Sequence, residues 1–505
     1  MILAKDSKTS YMAAIDLGSN SFHMIVAKQA DHQIQVIDKI REMVQLGAGL
    51  QTDHSLHPLA QDRALDCLKM FGQRLRAMPM SSVRAVGTNT LRQLRDGGKF
   101  LQLAHQALDH PIEIISGREE ARLIYLGVAH SLATQETRRL VMDIGGGSTE
   151  FIVGEHFEPE DRESLYMGSV SYTRRFFPSG KIDAACWKRA ALASGLELQN
   201  IESAFRQAGW DTAIGASGTI LSIAKVLEEL GWSESGINMP GLRKLKGLLI
   251  EKGDVSRIDF ESLNPERRAI FPAGVAILKT SMKALRIEQL EISDGALREG
   301  LLYDLLGRIH QEDPRANTVN AMAKRFQIDT VQANEVEKTA NSFFNLVARE
   351  WELEGDNCRL ILGWAAHLHE IGLAIAHSQY HKHGAYLISN SDMPGFSQTE
   401  QQLIATLIRG HRRKLYESMF SELGEETRVM AMRLSILLRL AILLNRSRSG
   451  QPLPEMRLIP GVRNLNVSIS DQWLEEHPLT LADLELETEY LKAARFKLFV
   501  NHIPA

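Results

Sequence analysis

The segment Asp16-Leu17-Gly18-Ser19-Asn20-Ser21 constrains this chain more than any other, because its design occurs twice. The second form is Asp143-Ile144-Gly145-Gly146-Gly147-Ser148-Thr149-Glu150. Each time an Asp ends a strand-like run, Met12–Leu17 or Arg139–Ile144, and a small-residue turn leads into another, Phe22–Lys28 or Thr149–Val153. Both places therefore predict strand–turn–strand units. Glycine lets backbone N–H groups approach an anion closely, and Ser or Thr hydroxyls add donors. A phosphate between two such turns is held from both sides, and the aspartates suit Mg²⁺, bound directly or through water. Ordinary β-turns use the same residue types. The repetition, each time after a strand and an Asp, favours phosphate. This reading makes Ser19, Asn20, Gly146, Gly147 and Ser148 candidate phosphate ligands.

The surroundings of the two turns also repeat. After the first come a strand at Gln33–Ile40, a helix at Leu59–Met78, a strand at Val83–Gly87, a helix at Gly98–Leu108, a strand at Ile112–Ile115 and a helix after Ser116. The same order restarts at Arg139, which predicts an α/β chain with two related lobes, 1–125 and 126–313. From about Pro314 the pattern becomes helical, with amphipathic runs at Ala333–Ala348 and Leu360–Ile375. Strand-like pieces follow at Arg457–Ile459, Asn466–Ser470 and Arg495–Phe499, after a Pro452–Pro454 linker. The expected remainder is a helical domain, 314–451, and a small α+β domain, 452–505. A chain of 505 residues accommodates such a division at about 150 residues per domain.

Composition removes several classes. The net charge of −4 argues against a globally basic nucleic-acid binder, so any polyanion site is local. Cys67, Cys186 and Cys358 are far apart and form no CxxC pair, against a disulfide framework or a zinc ribbon. No apolar run reaches the ~18 residues of a membrane span, and the polar start Met1–Ser10 has no secretory apolar region. The expected location is the cytoplasm.

Two further pieces stand out. Ile214-Gly215-Ala216-Ser217-Gly218-Thr219-Ile220 joins a short strand to a helix, whose free N–H groups attract phosphate; a plain connection is the alternative. It adds Ser217, Gly218 and Thr219 to the candidate ligands. Asp294, in Asp294-Gly295-Ala296-Leu297-Arg298-Glu299-Gly300, stands at a strand end or caps a helix. Ser116-Gly117-Arg118-Glu119 fits a capping box, with Glu119 reaching back to the Ser116 N–H. Glu120 is then left over at a helix start, able to accept a proton from attacking water or simply to sit in solvent at the positive end of the helix. Arg92, after Val86-Gly87-Thr88-Asn89-Thr90-Leu91, suits bidentate pairing with phosphate or a surface ion pair.

The two Asp turns and the Gly215–Thr219 turn resemble the phosphate-binding elements of the acetate and sugar kinase, actin and heat-shock ATPase superfamily. More closely, the Ala14–Met24, Ile114–Arg122, Asp143–Glu150, Gly215–Thr219 and Gly295–Gly300 segments, in this order, resemble the exopolyphosphatase / guanosine pentaphosphate phosphohydrolase family. The resemblance runs from about Tyr11 into the C-terminal region. Gly154-Glu155-His156-Phe157-Glu158-Pro159, Asp294 and the Trp364 to Phe396 stretch favour the exopolyphosphatase branch; the sister branch tends to lack the acid at Asp294.

The resemblance implies two actin-like (ribonuclease H-like) lobes, an HD-like helical domain and a small C-terminal domain. It implies Glu120 as catalytic base, with Glu119 as its rival, Mg²⁺ on Asp143 and Glu150 assisted by Asp16, and stimulation by K⁺. It also implies a homodimer and, for some members, peripheral association with the inner face of the cell membrane. The expected reaction is processive release of orthophosphate from polyphosphate. Its rivals are hydrolysis of guanosine pentaphosphate, a small-molecule kinase, and a binding-only sensor of polyphosphate or nucleotide.

His369-Glu370 stands where HD-type metal phosphohydrolases carry His-Asp. The preceding helix has no histidine, so a metal-free relative is expected. Residues 405–457 hold ten Lys or Arg against five Glu. Arg409, His411, Arg412, Arg413 and Lys414 are the expected polyanion channel. Few aromatic residues accompany them, against nucleic-acid stacking.

Overall fold

The computed structural model describes residues 11–30, 33–95, 97–132, 138–309, 313–353, 357–448 and 450–503. The Met1–Ser10 start lies outside them. The chain divides into two compact units, Met1–Asp313 and Pro314–Ala505.

The first unit contains two sheets. One comprises β1 (Tyr11–Leu17), β2 (Phe22–Ala30), β3 (Gln33–Glu42), β4 (Val83–Gly87) and β5 (Ile112–Ile114), in the order β3-β2-β1-β4-β5. The other comprises β6 (Arg138–Ile144), β7 (Thr149–Glu155), β8 (Glu158–Leu165), β9 (Thr212–Ala216), β10 (Ile237–Asn238) and β11 (Gln289–Ile292), in the order β10-β11-β9-β6-β7-β8. Each sheet has three antiparallel strands followed by two parallel ones, and the second adds β10, antiparallel to β11, at its edge. The repeat read from the two turns is thus a repeat of topology. It places Asp16 opposite His23 and Asp143 opposite Glu150 in the register.

Alternation along the strands sorts side chains between layers, as the two-residue period requires. Met12 and Ala14 of β1 join Val141 of β6 and Ile214 of β9 in a core between the sheets. Ala13, Ile15 and Leu17 face an outer core with Leu68 and Phe71. Leu140, Met142 and Ile144 face the corresponding core of the second lobe. The central core also takes in the Gly117–Ser131 and Leu297–Ile309 helices.

Those two helices cross backbone against backbone. A Cβ at Gly300 would lie 1.8 Å from the Leu123 carbonyl oxygen, and one at Gly127 would lie 2.0 Å from that of Ala296. The glycines give up helix propensity for a close approach that fixes the helix carrying Glu120 against the one carrying Arg298. Gly300→Ala is expected to destabilise the protein by about 1–3 kcal/mol, the usual range for overpacking. A urea midpoint equal to that of the wild type would refute the close crossing.

In the second unit, helices at Thr330–Val347, Cys358–Leu368, Gln398–Gly410 and Glu425–Leu444 surround a core with Phe343, Leu362, Ile404 and Leu437. The run expected as one helix over Leu360–Ile375 ends at Leu368, and a 3₁₀ turn at Ile371–Ala374 follows. Strands β12 (Arg457–Pro460), β13 (Asn464–Ser470) and β14 (Lys497–Ile503) form a mixed sheet. The last strand starts two residues beyond its expected beginning, after Arg495 in a left-handed conformation (φ 53°). Leu465, Val467 and Phe496 belong to the same core as the helices, and Trp351 donates from Nε1 to the Gly461 carbonyl at 3.0 Å. Among the described residues no helix is long and apolar enough to cross a membrane.

Candidate active site

The two glycine turns meet. A Cβ at Gly146 would lie 2.9 Å from the Ser19 Cβ, and one at Gly147 would lie 2.3 Å from Asn89 Oδ1. Thr90 donates to Ser19 Oγ at 2.8 Å. The carbonyls of Gly145 and Gly146 are taken by the amides of Ser169, Val170 and Ser171, which pins the second turn from behind. Between the turns lies a cavity of about 290 Å³, lined by Ser19, Asn20, Gly146, Gly147, Ser148, Ser217, Gly218 and Thr219 among others. All the turn residues expected to bind phosphate therefore share one cleft. Ser217, at the start of the Ser217–Glu229 helix, has φ +81°. That region is costly for a residue with a Cβ, and such strain recurs at functional sites.

Carboxylates gather on one side. Asp16 and Asp143 end their strands in the cleft, and Glu120 faces them from the Gly117–Ser131 helix. Burial, then the nearby Glu120, pushes Asp16 up to about 7. Burial, then Glu120 and Asp16, does the same to Asp143. Glu150 is held well above the ordinary carboxylate range by burial, Glu120 and Asp143. It is buried behind the cleft and accepts from Ser164 Oγ at 2.8 Å. Asp16 Oδ1 is buried and has no hydrogen-bond partner. Among the described residues no three His, Cys, Asp or Glu side chains form a ready-made metal cage. Mg²⁺ commonly takes one or two carboxylates and completes its shell with water and substrate phosphate. An orphaned Asp16 oxygen beside mutually repelling acids fits such an ion.

Glu119 and Glu120 are told apart by their partners. Ser116 Oγ caps the helix by accepting from the Glu119 amide at 3.1 Å. The Glu119 carboxylate is clamped by Arg122, whose Nε and Nη2 donate to it at 2.8 Å each. The expected capping box is thus overtaken by a buried ion pair, a stronger use of that carboxylate. Glu120 Oε2 accepts from Arg92 Nη1 at 3.0 Å, and the same nitrogen donates to the Ile115 carbonyl at 2.8 Å. Arg92, expected to grip phosphate, holds Glu120. Burial raises the Glu120 pKa and Arg92 opposes the rise.

Four cleft residues carried no functional signal of their own in the sequence. Arg41 ends β3 and Arg267 follows Pro265 in a short 3₁₀ helix. His23 lies in β2, and Arg298 begins the Leu297–Ile309 helix. Burial, then Arg41, pushes Arg267 down to about 10. A Cβ at Gly218 would fall 2.1 Å from Arg267 Nη2, so glycine there lets the guanidinium lie over the helix start. Asn89, which the sequence reading gave no role, also lines the cleft. Asp294 is exposed and lies outside the cleft lining, whereas Ala296, Leu297 and Arg298 line it.

In the second unit, Arg409, Arg412, Arg413 and Lys414 share a cavity of about 1150 Å³ with His381 and Lys382. Arg412 lies over the Tyr380 ring at 4.5 Å. His411 does not line that cavity; it is 3 % exposed and donates from Nδ1 to the Ile408 carbonyl at 2.6 Å. Its burial follows from closing the Gln398–Gly410 helix. At the HD-like position Glu370 is paired with Arg448, which also reaches Asp329 at 2.6 Å.

Two lobes of one topology, closing glycine turns on a cleft of carboxylates and arginines, define a phosphate-handling protein of the actin-like fold. The chain belongs to the Ppx/GppA phosphatase family: residues 25–309 match that family, and residues 315–488 match its domain III. A guanosine-5'-triphosphate,3'-diphosphate pyrophosphatase of Aeromonas hydrophila is 39% identical over 477 residues, 94% of this chain and 96% of that protein. The protein of the same name from Aeromonas salmonicida is 38% identical over the same shares. Among solved structures, the Aquifex aeolicus PPX-GPPA enzyme aligns with TM-score 0.50 and 25% identity over 58% of this chain and 99% of that one. An exopolyphosphatase from Cytophaga hutchinsonii gives 0.54 and 24% over 59% and 98%.

Proposed function

We propose that this protein hydrolyses the terminal phosphoanhydride of inorganic polyphosphate and releases orthophosphate. The observation that supports this substrate is the lining of the cleft. It presents arginines, hydroxyls and turn glycines, and among its described residues no Phe, Tyr or Trp on which a nucleobase would stack. Its volume of about 290 Å³ is at or below the range of about 300–1,000 Å³ usual for organic ligands.

The terminal phosphate sits between Ser19–Asn20 and Gly146–Ser148, with Ser217, Gly218 and Thr219 at the adjacent helix start. Arg41, Arg267 and Arg298 offset the charge of the chain. Glu120, held by Arg92, orients a water molecule and takes its proton as the water oxygen bonds to phosphorus. The bridging oxygen leaves with the shortened chain. Asp16 and Asp143, backed by Glu150, are the residues that would hold Mg²⁺. That ion supplies charge neutralisation of the transferred phosphoryl group, and positioning with charge neutralisation is the main source of catalysis in this chemistry. In the second unit the cavity with Arg409, Arg412, Arg413, Lys414, His381 and Lys382 suits a polyanion.

The names of the Aeromonas relatives favour a second reading, removal of the terminal phosphate from guanosine pentaphosphate. With Mg²⁺ and K⁺ present, kcat/KM for orthophosphate release is expected to be at least about tenfold higher on long-chain polyphosphate than on guanosine pentaphosphate, a modest use of pocket discrimination. The opposite order transfers the protein to the second reading.

A further inference from the structure

Ser21 closes the first glycine turn and lines the cleft. Its Oγ lies 2.7 Å from His23 Nε2, and His23 Nδ1 lies 2.9 Å from Arg298 Nη1. A guanidinium has only hydrogens to offer. Arg298 therefore donates to Nδ1, Nδ1 carries no proton, and the hydrogen of the neutral ring sits on Nε2. That N–H donates to Ser21 Oγ, so Ser21 turns its own hydrogen elsewhere. We infer that Arg298, His23 and Ser21 form a one-way hydrogen-bond relay that commits Ser21 as a donor to an oxygen of the bound phosphate. Ser21 is the contacting group; His23 and Arg298 are positioning residues.

The surroundings suit a neutral ring. Burial, then Arg298, Arg41 and Arg267, pushes His23 down to about 2. The second lobe provides an internal comparison. His23 stands opposite Asp16 as Glu150 stands opposite Asp143. Ser148 precedes Glu150 by two residues, as Ser21 precedes His23. The first lobe thus places an imidazole where the second places a carboxyl.

The inference deepens the phosphate-cleft reading and rests on it only for the ligand. Two experiments on the full chain test it. In ¹⁵N-histidine NMR, the signals lost in His23→Gln identify His23; the expected tautomer carries its proton on Nε2. An Nδ1–H tautomer or a charged ring overturns the relay. Calorimetry with inorganic phosphate then compares Ser21→Ala, His23→Leu and the double variant. Each single change is expected to weaken phosphate binding about tenfold, the effect of one hydrogen bond to a charged group. The double variant should be no weaker than the worse single one, because both remove the same bond. His23→Gln, which keeps a donor toward Ser21, should recover part of the loss. Multiplied losses, or Gln no better than Leu, identify a merely structural histidine and overturn the inference. A wild type that binds phosphate through this relay but cleaves no polyphosphate sinks the proposed reaction and leaves the relay standing.

Discussion

Glu120→Gln is expected to lower orthophosphate release from polyphosphate by about 10²- to 10⁴-fold, the range for removing a positioned general base. The substitution keeps the shape of the side chain and leaves an amide oxygen to accept from Arg92, whose Nη1 now lies 3.0 Å from Glu120 Oε2. Polyphosphate binding should therefore persist while turnover falls. Burial raises the Glu120 pKa against the pull of Arg92. A base with a raised pKa loses its active, ionised form at a higher pH than an ordinary glutamate. The wild-type rate should fall on the acid side above the usual carboxylate range, and in Glu120→Gln the limb that remains should move to lower pH, because the charge that helps to raise Asp16 and Asp143 is gone. Glu119→Gln supplies the contrast, because its carboxylate belongs to the bidentate pair with Arg122. It should weaken the fold and leave the acid limb in place. Retention of full activity by Glu120→Gln would remove it from the role of base.

The difference between these two neighbours was only half legible in the sequence. Spacing after Ser116 assigned Glu119 a capping role and left Glu120 free. In the fold both acids are paired: Arg122 and Arg84 hold Glu119, and Arg92, from another helix, holds Glu120 in the cleft. The turns themselves were legible because glycine and hydroxyl residues cluster locally after strands of two-residue period. The presence of two α/β sheets followed from the repeat of one pattern, but their strand order did not. What the sequence hid is what tertiary convergence makes. Arg41, Arg267 and Arg298 lie far apart along the chain and each looks like a surface charge. Arg92 was legible as an arginine near the cleft, yet its partner was not, since reach along a helix does not say whether a guanidinium meets a ligand or a neighbouring acid. The same holds for His411: charge density along 405–457 grouped it with its basic neighbours, while burial at the helix end takes it out of the cavity of Arg409 and Lys414 and into a second one with Arg412 and Arg413.

The largest effect on stability is expected from Asp304→Ala. Asp304 accepts from Arg84 and Arg122, and from Arg308 Nε at 2.9 Å. Its side chain is 1% exposed, and that of Arg84 2%. Glu113, 3.2 Å from Arg84, and Glu119 complete the cluster. Removing one partner of a buried pair leaves uncompensated charge and costs about 3–5 kcal/mol. Glu119 and Glu113 still face the two arginines in the variant, which places the expected loss near the lower end of that range. Burial alone would raise the Asp304 pKa, but Arg122, then Arg84 and Arg308, outweigh it and hold the carboxyl well below its ordinary value of 3.8. A depressed carboxylate contributes stability that is fully present above the unfolded pKa and is lost as the pH falls toward the folded one. The gap in unfolding free energy between wild type and Asp304→Ala, measured in urea, should therefore be level from neutral pH down to about pH 5 and narrow below about pH 4. The cluster also joins the helix bearing Glu120 to the helix bearing Arg298, so whatever variant remains folded should release orthophosphate more slowly. A gap under about 1 kcal/mol at neutral pH would mean that these arginines find solvent when Asp304 is gone, and that the helix crossing is held by Gly127 and Gly300 with little help from charge.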